Sequence, residues 1–433
     1  MVDDLGYGDL GCYGQTKFST PHIDALAQGG MQFMQHYAGS TVSAPSRGSL
    51  MTGKHTGNSF IRGNKAVKTS QGEIYDTSLP DCEVTLAELF KERNYSTACI
   101  GKWGMGAPKS EGDPNNQGFD YFYGYLGQQY AHNYYPPFLH ENGEKVELNG
   151  EYYSHDLIEQ KAMQYIKEQS SNPFFLYLTF TIPHAELIIP DEYNDFKDTF
   201  PETPFVKKAN GTYSSQSQPH AAFAAMVERM DLSVGRIMEL LEEQGIDKNT
   251  LVIFSSDNGA HNEGGADPNF FNSTAGYRGH KRDLYEGGIR VPMIASWKGT
   301  IPAGGQSDMI SAFWDMMPTF AEMIDVETPA DIDGISILPE LKGKRQREQH
   351  DYLYWEFHEG HGKRAVLRGD WKLIELDVRN AKLRRFELYN ITSDPSEERD
   401  VASANEEIVA KLKCLLFSTR SQSELFKFPK EEL

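Results

Sequence analysis

Residues 174–184 read F-F-L-Y-L-T-F-T-I-P-H, a nearly continuous apolar run that ends in a histidine. Such runs are typical of a strand that is buried on both faces, as in a parallel sheet covered by helices. A segment with helical periodicity precedes the run and stops at Asn172-Pro173. Its apolar face is formed by Leu157, Ile158, Ala162, Tyr165 and Ile166. The pattern predicts a central strand with His184 beyond its carboxyl end.

The alternation of helix and strand recurs along the chain. Residues 84–93 are predicted to form a helix and residues 96–100 a strand. A second helix carries Met226, Met230, Val234, Ile237 and Leu241 on one face, and residues 250–255 form the next strand. Alternation of this kind predicts an α/β fold with a mostly parallel central sheet and helices on both faces.

The character of the sequence changes near residues 342–350, which are charged. After them come four segments in which apolar and polar residues alternate, at 352–357, 365–368, 371–376 and 386–389. A segment with a helical pattern follows at 406–417. These segments predict antiparallel strands closed by a helix. We therefore expect a catalytic core at 1–345 and a smaller C-terminal α+β subdomain at 346–433. Residues 203–218 are polar and rich in turn formers, which predicts a long surface loop.

Composition narrows the functional classes. The chain has 433 residues, of which 42 are Lys or Arg and 62 are Asp or Glu, so the formal net charge is −20. This charge argues against nucleic acid as a partner and against a broad surface for anionic membranes. We expect no membrane span, because no apolar run reaches 18 residues. The four cysteines lack the spacing of a zinc site.

Met1-Val2 looks like the end of a strand, which suggests a processed or trimmed chain.

Polar residues follow four of the predicted strand ends. Asp3-Asp4 follow Val2, Lys102 follows residues 96–100, His184 follows the apolar run, and Asp257-Asn258 follow residues 250–255. Ligands of open α/β sheets bind at the carboxyl ends of the strands, so one pocket can contain all of them. Asp3, Asp4, Asp257 and Asn258 offer only oxygen donors, which favours Ca²⁺ or Mg²⁺ over zinc. Taken singly, each pair could also form a turn.

Residues 43–53 read S-A-P-S-R-G-S-L-M-T-G, with Pro45 near a helix start and Gly53 near its end. Ser43 would then lie at a helix N-terminus, where amide groups and the helix dipole favour an anion. Alternatively, Ser43 is only the N-cap of this helix.

The whole string resembles the signature of the type I sulfatases, in which a Cys or Ser before x-P-S-R is oxidised to formylglycine. Five further motifs occur in the family's order, beginning at Val2, Gly101, Thr181, Ser255 and Gly279: V-D-D-L-G-Y-G-D, G-K-W-G-M-G, T-I-P-H-A, S-S-D-N-G-A and G-H-K-R-D-L-Y-E-G-G-I-R-V-P. The resemblance covers nearly the whole chain. It implies an alkaline-phosphatase-like fold with a smaller C-terminal subdomain.

The resemblance implies a role for each matching residue. Ser43 is similar to the formylglycine precursor, and Arg47 to the residue that steadies the hydrated aldehyde. Lys102 and Lys281 resemble the pair that holds the sulfate oxygens, and His184 the acid that protonates the leaving alcohol. The family also implies Ca²⁺ as the cofactor, more than Mg²⁺, and assigns it to Asp3, Asp4, Asp257 and Asn258. Maturation of Ser43 requires an activating enzyme as a partner.

Two positions depart from the commoner family pattern. Gly104 stands where many members have His, so one expected contact to the nucleophile is missing or comes from elsewhere. Ser43 replaces the commoner Cys, which is compatible with a bacterial enzyme or with an engineered Cys→Ser change. Similarity to carbohydrate-degrading bacterial relatives implies a periplasmic or secreted enzyme that acts on sulfated saccharides, with sulfated galactose or N-acetylgalactosamine as examples.

Three further residues, outside the family motifs, are candidates for contact with the sugar. His132 lies in a polar and aromatic loop, where it either borders the sulfate pocket or supports the loop. His358 and Glu359 lie in a Gly-rich turn of the C-terminal subdomain and could bind sugar hydroxyls. Two other functions remain open: a phosphoester or phosphonate hydrolase on the same fold, and a binder of sulfated glycans without turnover if Ser43 is unmodified.

Overall fold

The computed structural model describes residues 1–70, 72–346 and 348–429. The α-helices within these ranges are α1 (Pro21–Gln28), α2 (Ser43–Thr52), α3 (Leu86–Lys91), α4 (Ser154–Gln169), α5 (Pro219–Glu243), α6 (Pro268–Phe271), α7 (Glu286–Ile289), α8 (Met316–Ile324), α9 (Leu338–Leu341) and α10 (Glu406–Ser418). The helices predicted near residues 84–93, 157–166, 226–241 and 406–417 correspond to α3, α4, α5 and α10.

The strands of the same ranges are β1 (Met31–Phe33), β2 (His36–Tyr37), β3 (Ala66–Lys68), β4 (Ile74–Asp76), β5 (Ser96–Lys102), β6 (Tyr121–Tyr125), β7 (Phe138–Glu141), β8 (Glu144–Glu147), β9 (Phe174–Thr179), β10 (Val252–Ser255), β11 (Met293–Ser296), β12 (Gly305–Ser307), β13 (Ser311–Ala312), β14 (Leu353–Phe357), β15 (Lys363–Arg368), β16 (Trp371–Leu376) and β17 (Arg385–Asn390).

Two sheets form the centre of the molecule, and the first two residues lie between them. The first sheet has the order β8-β7-β6-β5-β9, and the second β10-β11-β1-β12. The Met1 amino group donates to Leu178 O (2.7 Å), and Val2 pairs in parallel with Ser256. Strands β6, β5 and β9 are parallel, whereas the flanking pairs β6–β7, β7–β8 and β10–β11 are antiparallel. The predicted α/β fold is confirmed, with antiparallel strands added at the flanks.

Helices cover both faces of these sheets. On β5, Ala98 and Ile100 belong to a core that includes residues of α1, α4 and α5. Cys99, between them, belongs to a second core with residues of α3 and α8. The alternation of side chains along a strand places the two cores on opposite faces. This arrangement leaves the carboxyl ends of the central strands free of the helices that cover the two faces.

An apolar cavity of about 660 Å³ lies beside Met1 and is lined largely by residues of β9, β10, α5 and α8. None of the predicted site residues lines it. The predicted site residues lie instead at the polar carboxyl ends of the strands.

The C-terminal sheet is antiparallel in the order β14-β15-β16-β17, with α10 packed against one face. A buried ion-pair cluster joins it to α7 of the core: Lys372 Nζ lies 2.9 Å from a carboxylate oxygen of Glu286 and of Glu397. The predicted antiparallel subdomain closed by a helix is thus present. The boundary between 345 and 346 stays a prediction, and residues 347 and 430–433 lie outside the described ranges.

Among the helices of the described residues, none combines the length and the hydrophobicity of a membrane span. Cys12, Cys82, Cys99 and Cys414 are free thiols.

Candidate active site

Ser43 is the first residue of α2 and is 2% exposed. Its Oγ donates to Asp3 Oδ1 (3.0 Å) and lies 3.3 Å from Lys102 Nζ. Lys102 Nζ donates to Asp3 Oδ2 at 2.6 Å. The hydroxyl is therefore held between a carboxylate and an ammonium group at a helix N-terminus, where the helix dipole also favours negative charge.

Arg47 lies one turn further along α2 and is fully buried. Its Nε and Nη2 both donate to Asp257 Oδ2 (3.1 and 2.9 Å), and its Nη1 donates to Lys102 O at 2.7 Å. Burial lowers the pKa of this guanidinium, but Asp257, Tyr177 and Asp3 together outweigh that effect and raise it. Arg47 thereby joins α2 to the ends of β5 and β10 as a permanent positive charge.

Asp4 forms the second half of the acidic cluster. Its backbone N donates to Asp257 Oδ1 (3.1 Å), and its Oδ1 accepts from Asn258 Nδ2 (2.7 Å). Its Oδ2 accepts from Lys281 Nζ at 2.7 Å. Burial lowers the pKa of Lys281, yet Asp4 and Glu263 raise it well above its usual value. Lys281 is therefore a charged ammonium group inside the site.

His184 lies beside Lys281, with 3.0 Å between His184 Nε2 and Lys281 Nζ and 3.2 Å between His184 Nε2 and Asp4 Oδ2. Its Nδ1 bonds to the carbonyl oxygen of Ala185. Burial, followed by the charge of Lys281, holds the pKa of His184 well below 6.5. Since Lys281 is a cation, it donates to Nε2 of a neutral imidazole.

Glu263 is a site residue that the sequence reasoning missed. Its Oε2 accepts from Lys281 Nζ (2.8 Å) and its Oε1 from Arg282 Nη1 (2.6 Å). Burial raises the pKa of Glu263, but Lys281 and Arg282 together lower it far below 4.5. The only sequence signal was its place in the segment that follows Asp257-Asn258, at the carboxyl end of β10.

Three rings surround His184. The His132 ring stacks on it with centroids 4.7 Å apart and planes at 12°, and the His261 ring stacks at 5.8 Å and 15°. The Tyr213 ring lies 6.2 Å away, and its hydroxyl donates to Glu263 Oε2. Tyr213 belongs to the predicted surface loop at 203–218, most of which is exposed. The prediction for this loop did not foresee that one of its side chains reaches the site.

His132 lies at the site, where its ring stacks on that of His184, and its contact with bound sulfate stays a prediction. Burial, followed by the charges of Lys102 and Lys281, lowers its pKa to about 3, so both ammonium groups lie within electrostatic range of this ring.

The two candidates of the C-terminal subdomain differ in their surroundings. Glu359 Oε2 accepts from Arg282 Nε (3.0 Å), so it is linked to the site through Arg282 and Glu263. His358 has both ring nitrogens engaged, with Glu356 Oε1 at 2.8 Å and Arg379 Nη2 at 2.6 Å. Its role in binding a sugar stays a prediction.

The acidic cluster fits a metal ion in its chemistry. Asp3, Asp4, Asp257 and Asn258 are at most 1% exposed, and Asn258 Oδ1 has no hydrogen-bond partner among the described residues. An orphaned oxygen beside three carboxylates is a suitable ligand set for a hard cation. The structure also offers Asp3, Asp4 and His184, or Asp4, His261 and Glu263, as groups close enough to share an ion. The site thus accommodates a metal without fixing its identity.

Comparison with known proteins agrees with this arrangement. The Sulfatase family model matches residues 1–326, and the model of the N-sulphoglucosamine sulphohydrolase C-terminal region matches residues 277–422. Human steryl-sulfatase is 30% identical over 82% of this chain and 70% of its own length. N-acetylgalactosamine-6-O-sulfatase of Bacteroides thetaiotaomicron is 29% identical over 98% of this chain and 92% of its own length.

A solved structure, Ps i-CgsB in complex with k-i-k-neocarrahexaose, superposes with a TM-score of 0.78 at 28% identity and covers 98% of this chain and 93% of that one. The family match spans more than half of the chain and includes the residues gathered around Ser43. The chain therefore belongs to the sulfatase family and is a sulfuric ester hydrolase.

Proposed function

We propose that this sulfatase hydrolyses sulfate esters of carbohydrates after Ser43 has been converted to formylglycine by a maturation enzyme. The observation that supports the proposal most is the position of the Ser43 hydroxyl, which lies between Asp3 and Lys102 at the start of a buried helix. A formylglycine at residue 43 would supply a hydrated aldehyde, of which one hydroxyl attacks sulfur and the other allows sulfate to be expelled.

Asp3, Asp4, Asp257 and Asn258 would hold Ca²⁺, with Mg²⁺ as the less favoured ion. The cation would neutralise charge on the sulfuryl oxygens. Arg47 keeps Asp257 in place for this role through two hydrogen bonds. The all-oxygen character of these four side chains supports Ca²⁺ over ions that favour nitrogen or sulfur.

Lys102 and Lys281 would bind the sulfate group from two sides. Both are buried ammonium groups beside carboxylates, Asp3 for Lys102 and Asp4 for Lys281. In a site shielded from water, such fixed charges stabilise a developing negative charge strongly. Glu263 would act as a positioning residue, because it fixes the ammonium group of Lys281.

His184 would protonate the leaving alcohol. In the structure the charge of Lys281 helps to hold the pKa of His184 low. An anionic ester bound between the lysines offsets that positive charge, which raises the pKa of the imidazole toward the range of a general acid. The stacked rings of His132 and His261 keep the imidazole in one orientation for this transfer.

A saccharide substrate is supported by the chemistry of the rim and by the relatives. His132 and Tyr213 offer ring faces on which a sugar could pack, and Arg282 and Glu359 offer polar groups beside them. Two of the relatives reported above act on, or are bound to, a saccharide. The net charge of −20 favours short oligosaccharides or chain ends over long polyanions, and we place the enzyme in the periplasm or outside the cell.

Glu263→Gln should lower kcat/KM on an aryl sulfate by about tenfold to a hundredfold, because Lys281 loses one of its two carboxylate partners. Steady-state kinetics would measure this loss. Glu83→Gln is the matched control, since Glu83 pairs with Lys54 outside the site. An unchanged kcat/KM for Glu263→Gln would refute the positioning role.

Asp257→Asn should abolish bound Ca²⁺ and activity together. Asn has a similar size to Asp but lacks the negative charge that the cation needs from this ligand. Metal content after equilibration with Ca²⁺ would be measured by mass spectrometry. Asp9→Asn, at a buried carboxylate outside the cluster, should keep the ion. Lys281→Ala should keep the ion but lose most of kcat/KM. Full Ca²⁺ occupancy in Asp257→Asn would contradict the metal assignment.

Protein produced without a compatible maturation enzyme should bind a sulfated ligand and not turn it over. Intact-protein and peptide mass spectrometry at Ser43 would identify the modification, and multiple-turnover assays would be run on the same samples. Sustained turnover by chemically unmodified Ser43 protein would refute the formylglycine proposal. Ligand binding without turnover by protein whose Ser43 stays unmodified even when it is produced with the maturation enzyme would favour a sulfated-glycan binder.

Sulfated mono- and oligosaccharides should be better substrates than aryl or steroid sulfates, with phosphate and phosphonate monoesters poorer still. A panel sulfated at defined positions, including galactose and N-acetylgalactosamine, would rank kcat/KM. His358→Ala should lower the rate on the best sugar and spare the aryl sulfate. Equal losses on both would show that His358 does not bind the sugar, and a preference for steroid sulfate would refute the saccharide assignment.

A further inference from the structure

Gln128 is a buried polar residue at the carboxyl end of β6 that the mechanism above does not use. It is 9% exposed, and its Nε2 has no hydrogen-bond partner among the described residues. Buried amide groups are nearly always paired in folded proteins. An unpaired donor at the edge of the sheet where the site lies therefore points to a ligand atom as its partner.

Gly104 makes room for this carboxamide. The ends of β5 and β6 stay paired beyond the strands, since Trp103 N donates to Tyr125 O and Gly104 N to Leu126 O. A β-carbon at residue 104 would lie only 2.0 Å from Gln128 Nε2. Gly104 also has φ +78°, a region that favours glycine. The side chain that stands over position 104 is thus that of Gln128.

The position of Gln128 places its donor on the Lys102 side of the site. Gly104 lies two residues beyond Lys102, and Gln128 N donates to Asp76 Oδ2 at 2.7 Å. Lys102 is the last residue of β5 and pairs in register with Tyr125, the last residue of β6, three residues before Gln128. The loop that carries Gln128 is anchored beside the lysine that would hold the sulfate group.

We propose that Gln128 Nε2 donates a hydrogen bond to the sulfate group of the substrate, next to Lys102. A sulfate ester has more oxygen acceptors than two lysines can satisfy, and an amide adds a directed donor without further charge. The inference rests on the proposed position of sulfate at Lys102, and it names Gln128 as a substrate-binding residue.

Gln128→Met tests the proposal, because Met has a similar volume and no donor. The probe is inorganic sulfate, titrated calorimetrically into unmodified Ser43 protein, with kcat/KM on an aryl sulfate as a second readout from matured enzyme. Sulfate affinity should fall about tenfold or more, as expected for a hydrogen bond to a charged group. The Tm without sulfate should not fall, because the lost donor has no partner in the ligand-free protein.

Gln117→Met is the matched control. Gln117 is also buried, but its Nε2 donates to Glu111 O (2.9 Å) and Leu79 O (3.4 Å). This variant should lower Tm and leave sulfate affinity unchanged. Gly104→Ala, whose methyl group displaces the Gln128 carboxamide, should weaken sulfate binding by itself and add nothing to Gln128→Met.

The outcomes separate this inference from the proposed function. If Lys102→Ala weakens sulfate binding but Gln128→Met and Gly104→Ala do not, the inference is overturned and the role of Lys102 stands. If Lys102→Ala also binds sulfate normally, the proposed position of the sulfate group is wrong, and the inference fails with it.

Discussion

The balance of buried charge around Ser43 is the constraint on which the site depends. Three carboxylates, from Asp3, Asp4 and Asp257, face three cations, from Arg47, Lys102 and Lys281. Unpaired charges in such a dry environment would be prohibitively costly, so each group needs its partners. The partners come from the first residues of the chain, α2, the ends of β5 and β10, and the segment before α7. The fold must assemble all of these segments before the charges are neutralised.

Much of this arrangement could be predicted from the sequence. Apolar runs such as 174–181 indicated buried strands because their hydrophobicity is continuous. Ligands bind at the carboxyl ends of strands in such sheets, and this rule predicted one shared pocket for Asp3, Lys102, His184 and Asp257. The antiparallel C-terminal segments could be identified by their alternation. These features are local in sequence, so a single chain displays them without knowledge of its contacts.

Features that depend on contacts between distant segments could not be predicted in the same way. Glu263 and Tyr213 lie in polar loops that look like ordinary surface, and only the folded chain places them against Lys281 and His184. The side chain that occupies the space over Gly104 could not be predicted either, because Gln128 is 24 residues away along the chain. His358 shows the converse case: a motif-like histidine whose ring nitrogens are both used inside its own subdomain.

The burial of Ser43 constrains when, relative to folding, this residue can be modified. Because this side chain is 2% exposed and its helix is almost entirely buried, another enzyme cannot reach it once the domain has folded. The proposed conversion of Ser43 would then compete in time with folding, and the yield of converted protein would depend on which process is faster. A chain that folds first is trapped with its serine intact, so conditions that slow folding would increase the modified fraction.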